Sequence, residues 1–128
     1  MEVINESDVM ETEDIISKLN DLVALEFNAI ETYEVAIERL ENLDYRAKMT
    51  EFLGEHERHL MDLCDAIIEE GGTPLDGGDY KQFLTKGPVI IAGNDEIYPG
   101  YIQLMLKQAL GDVRHHRVWI ESAIQELD

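Results

Sequence analysis

Two histidines three residues apart, His56 and His59, sit in the run Leu53-Gly54-Glu55-His56-Glu57-Arg58-His59-Leu60. Met49, Phe52, Leu63 and Ala66 fall on the same row at steps of three and four, so the segment reads as an amphipathic helix with both imidazoles on its buried face. A second row runs Leu19, Val23, Glu26, Ile30, Tyr33, Ile37, Leu40, and Glu26 is its one charged member. A third runs Ile102, Leu106, Ala109, Val113, His116, Ile120, Ala123, Leu127, flanked by Met105, Asp112 and Trp119. One carboxylate and three imidazoles therefore point at a common interior. An ionised carboxylate in an apolar core costs several kcal/mol unless something compensates it. A bound metal ion compensates both kinds of group, because it neutralises the acid and takes up the imidazole lone pairs. Three histidines and one carboxylate suit zinc, ferrous iron, manganese or copper. Glu55 and Asp112 stand near the histidines and supply a further ligand or an outer acceptor.

Each of these residues also has a plainer reading. Glu26 reaches solvent or pairs with Arg46 or Lys48. The histidines are core residues satisfied by backbone acceptors, and of the adjacent His115 and His116 one must face outward. Tyr33 and Trp119 are packing residues, and the Glu31, Glu34, Glu38, Glu41 row is a solvated face.

The elements that would position the cluster are long helices. The periodicity predicts one from about Glu13 to Asn42, with acidic residues in its first turn that favour the helix dipole. Asn42-Leu43-Asp44 is a short connection, so a second helix from about Tyr45 to Glu70 returns antiparallel. Gly71-Gly72-Thr73-Pro74 closes it. A short third segment follows, with Tyr80, Phe83 and Leu84 on one stripe, then a break at Gly87-Pro88 and the apolar run Pro88-Val89-Ile90-Ile91-Ala92. The last helix runs from about Pro99 to Leu127. Counting from the turn near Leu43, Glu26 and the pair His56 and His59 lie within about two helical turns of one height, at ~1.5 Å rise per residue. The expected fold is all-α: one domain over residues 1–128, residues 1–11 flexible, two long helices, a short or broken third and a long C-terminal helix.

The chain has 128 residues and a formal net charge of −18, a balance that argues against nucleic acid and against anionic membrane as partners. The single cysteine, Cys64, allows no internal disulfide and suits a reducing, cytoplasmic setting. The first residues carry neither a basic stretch nor an apolar run, so no signal peptide is expected, and no segment approaches a membrane span.

Three stretches carry a family resemblance. Leu19-Asn20-Asp21-Leu22-Val23-Ala24-Leu25-Glu26-Phe27-Asn28-Ala29-Ile30-Glu31-Thr32-Tyr33 resembles the first helix of the ferritin-like superfamily (rubrerythrin and bacterioferritin), where a carboxylate ligand precedes a tyrosine by two turns. Phe52 to His59 resembles its second helix. Leu110 to Trp119 resembles its last, with Asp112 ahead of His116. The resemblance implies an antiparallel four-helix bundle with a metal site between its helices. The site in such proteins takes a Glu from each of two helices and a Glu-x-x-His from each of the others. This chain has no Glu-x-x-His: the residue three before His59 is His56, and the residue three before His116 is Val113. Glu26, His59 and His116 match, and His56 is a changed ligand.

Two functions follow. The first is a metal-binding ferritin-like protein, iron first and zinc or manganese next, with iron or peroxide redox chemistry if it is an enzyme. The second is a non-catalytic bundle whose altered site serves a structural, oligomerising or ligand-binding role. Metal storage on the acidic surface is a weaker third. A homodimer is the expected assembly, and two chains could share a site.

Overall fold

The computed structural model describes residues 6–78 and 100–126, with side chains from Thr12 onward. Among the described residues there are three helices and no strand: α1 (Glu6–Arg39), α2 (Leu43–Glu69) and α3 (Gly100–Glu126). The expected third segment lies outside the described residues. No described helix is long and apolar enough to cross a membrane.

Helix α1 begins about two turns earlier than its apolar row suggests. Helix α2 begins at Leu43 because Asn42 caps it. The Asn42 backbone is extended (φ −67°, ψ 116°), and its side-chain oxygen accepts from the backbone N–H groups of Asp44 and Tyr45 at 3.0 and 3.1 Å. The far end closes with the paired bonds of a Schellman motif. Gly71 N–H donates to Ile68 O and Gly72 N–H to Ile67 O, with Gly71 at φ +88°. A left-handed residue there favours glycine.

Helices α1 and α2 form an antiparallel hairpin. Its partners run in opposite senses: Tyr33 meets Phe52, Glu26 meets His56, and Asn20 meets Thr73. Asn20 clamps the chain leaving α2, donating to Thr73 O at 3.1 Å and accepting from Leu75 N–H at 2.7 Å. The apolar core lies at this end: Ile15, Leu19, Leu22 and Val23 of α1 pack with Leu63, Ala66 and Ile67 of α2, and Ile102 of α3 closes it. Helix α3 runs antiparallel to α2, with Asp112 beside Arg58, His116 beside Glu55 and Glu126 beside Tyr45. It is the least enclosed of the three, burying only Ile102, His116 and Ala123. Val113, expected on the buried row, is 40% exposed, because it borders two openings between α3 and the α1–α2 hairpin.

Candidate metal centre

The site lies halfway along the bundle, just beyond the apolar core. On α2 the row Phe52, His56, His59, Leu63, Ala66 is buried throughout, so both imidazoles enter the interior as their spacing dictates. Glu26 faces them from α1. Its Oε2 lies 2.7 Å from His56 Nδ1, and its Oε1 lies 3.6 Å from His59 Nδ1. Glu26 is thus held by the histidines rather than by Arg46 or Lys48, and Lys48 pairs instead with Glu51. Glu26, His56 and His59 each offer a ligand atom within 4.8 Å of the others.

Helix α3 contributes from the third side. Asp112 Oδ2 accepts from His59 Nε2–H at 2.8 Å and from Arg58 at 3.1 Å. His116 is 2% exposed, and its Nε2 bonds to the Glu55 carboxylate. It stands apart from the three-residue cluster, although its ring centroid is 5.0 Å from that of His56. His115 faces outward. The six residues singled out from the sequence therefore divide. Glu26, His56 and His59 converge; Asp112 backs His59; Glu55 and His116 form a neighbouring pair.

The ionisation states follow from burial and partners. Burial pushes the Glu26 carboxyl up, but hydrogen bonds and charge from His56 and His59 outweigh it and hold the group below its usual range. His59 is raised: burial opposes its charge, and the carboxylates of Glu26 and Asp112 more than offset that. Asp112 is lowered, because His59 and Arg58 overcome the effect of burial. His116 is lowered, chiefly by burial, with the Glu55 carboxylate opposing and His56 adding to the shift. Tyr33, its ring 5.1 Å from that of His56, is raised by burial and by the nearby charges of Glu55 and Glu26.

The donor set fits a divalent cation. With Nε2–H committed to Asp112, the neutral His59 ring presents a lone pair at Nδ1. That atom is buried without a hydrogen-bond partner and faces a carboxylate oxygen. With the ring neutral, two acceptors face each other across 3.6 Å in a largely buried setting, and either a proton on Nδ1 or a metal ion between them relieves the repulsion. Two ligands of a tetrahedral ion with bonds of ~2.1 Å stand about 3.4 Å apart, close to that spacing. Asp112 behind His59 completes a carboxylate–histidine arrangement that fixes tautomer and direction.

Two openings reach the centre from either side of Val113. One is a mainly apolar cleft of about 70 Å³ lined by Leu22, Leu63, Met105 and Leu106, with Glu26, His59 and Gln108 as its polar members. The other is a groove lined by Tyr33, His56, His116 and Arg117.

A family model described as a domain of unknown function, DUF2383, matches residues 14–92, more than half of the chain. The chain belongs to the DUF2383 family. No curated protein and no solved structure matches it. The matched span of this DUF2383 chain holds Glu26, Glu55, His56 and His59, whereas Asp112 and His116 lie beyond it. Reasoning from the sequence overlooked Arg58, which shares the Asp112 oxygen with His59. Its place directly before His59 was the available signal, but neighbours on a helix do not share a face.

Proposed function

We propose that this protein binds a single divalent transition-metal ion through Glu26, His56 and His59, inside a helical bundle of ferritin-like type. The observation that carries this is the buried, unpartnered Nδ1 of His59, aimed at Glu26 while Asp112 holds the opposite nitrogen. Two histidines and one carboxylate form the donor set of mononuclear iron sites and of several zinc sites. Iron is the first choice, with zinc and manganese next. An iron ion would supply one-electron redox chemistry toward oxygen or peroxide. The chain's own residues hold and orient: Glu26 provides the charge, His56 and His59 the nitrogens, and Asp112 the direction of the His59 ring.

A second reading rests on the way the polar groups pair. Glu26 with His56, Asp112 with His59, and Glu55 with His116 form a seam of carboxylate–imidazole contacts that hold the helices together without a metal. Elemental analysis of protein purified without added metal, followed by titration with cobalt(II), separates the two. Binding near one ion per chain that His59→Ala abolishes supports the metal site. No binding, and unfolding unchanged by a chelator, leaves the second reading.

A further inference from the structure

We infer that Arg58 is a positioning residue for the metal site, acting through Asp112 on the His59 ring. The inference rests on the metal-binding reading above. Arg58 and His59 are consecutive on α2 and leave the helix in different directions, yet both end on the same Asp112 oxygen, at 3.1 and 2.8 Å. His59 approaches from the interior, its side chain 4% exposed, and Arg58 approaches from the solvent side, its side chain 51% exposed. The carboxylate is thereby gripped between an inner and an outer donor. It needs the outer grip because Asp112 belongs to α3, which buries few residues, and its side chain is 24% exposed. Without the guanidinium, Asp112 can turn toward water and leave His59 Nε2 without its acceptor. The ring is then free to rotate, and its Nδ1 lone pair no longer faces Glu26. An ion pair as exposed as Arg58–Asp112 contributes little to stability, so its value here lies in direction.

The sign of the effect distinguishes this role from simple charge. Removing a cation from the neighbourhood of a cation site favours metal binding by Coulomb's law. Removing a positioning residue weakens it. Cobalt(II) titrations of the full chain, read by visible absorption and calorimetry, test this with Arg58→Met, Arg58→Lys, Asp112→Asn and the Arg58→Met/Asp112→Asn double variant. Arg58→Met should weaken binding roughly three- to tenfold, less than loss of the outer carboxylate itself. It should also alter the cobalt band shape. Arg58→Lys should restore part of both, and with Asp112→Asn already present Arg58→Met should cause no further weakening. Unchanged or tighter binding by Arg58→Met, or equal weakening in the Asp112→Asn background, overturns the inference while the metal site stands. A wild-type chain that binds no cobalt overturns the metal reading, and this inference with it.

Discussion

Phe52 lies against the imidazole of His116, with ring centroids 4.0 Å apart and planes 26° from parallel. The same fully buried ring meets Tyr33 of α1 edge-on at 6.3 Å and Trp119 of α3 at 5.7 Å. One side chain of α2 therefore sets the spacing of all three helices beside the histidines. Phe52→Ala should destabilise the fold by about 3–5 kcal/mol, as for other buried aromatic truncations. Urea unfolding measures this, and Phe52→Leu should lose distinctly less.

The two outer carboxylates should differ in their effect on metal binding. Asp112 backs a member of the three-residue cluster, whereas Glu55 backs His116, which stands outside it. Asp112→Asn should weaken metal binding by roughly 10- to 100-fold. Glu55→Gln should weaken it by less than about threefold on the same scale. Calorimetric titration with zinc(II) at fixed pH gives both values, and a larger loss for Glu55→Gln would move the centre toward His116.

The metal-free protein should show opposed histidine contributions to its pH-dependent stability. The His59 pKa lies above its ordinary 6.5 in the folded chain, so the fold binds that proton more tightly than the unfolded chain does. The resulting stabilisation is complete below pH 6.5 and is lost as pH rises through the folded-state value. The His116 pKa lies below 6.5, so its contribution has the other sign: it is complete above pH 6.5 and is lost as pH falls through the folded-state value. Thermal unfolding of wild type and His59→Gln across this range should therefore converge as pH rises above 6.5. Metal affinity should rise over the same interval, because the ion competes with the His59 proton.

The ends of α2 offer stability tests away from the site. Asn42→Ala removes an acceptor for two backbone N–H groups and should cost about 1 kcal/mol. Gly72→Ala places a Cβ 2.6 Å from Ile16 Cγ2, a contact so close that the Ile16 side chain or the turn must shift. A cost of about 1–3 kcal/mol is expected, as in other overpacked positions. Denaturant midpoints for both variants check these values, and cobalt binding should be unaffected.

The row on α2 was legible in the sequence because its packing is strong and local. Five positions at steps of three and four, Phe52, His56, His59, Leu63 and Ala66, are all buried. The row on α3 was legible only in part. Ile102, His116 and Ala123 are buried, yet Val113 is exposed, since period alone says which residues share a face and not whether a neighbour covers it. The cap at Asn42 was hidden within a three-residue connection. The Asn20 clamp spans 53 and 55 positions and leaves no local pattern. Arg58 was missed because the oxygen it shares with His59 comes from another helix.

Glu26 and His56 are 30 positions apart in one helical hairpin, and His59 follows within a turn. All three inner donors are therefore present once α2 has been synthesised, some thirty residues before Gly100 begins α3. The order of synthesis allows a cation to meet its ligands on the growing chain while Asp112 and His116 are still to come. On the metal-binding reading, α3 would then arrive as a fastening laid over an ion already in place.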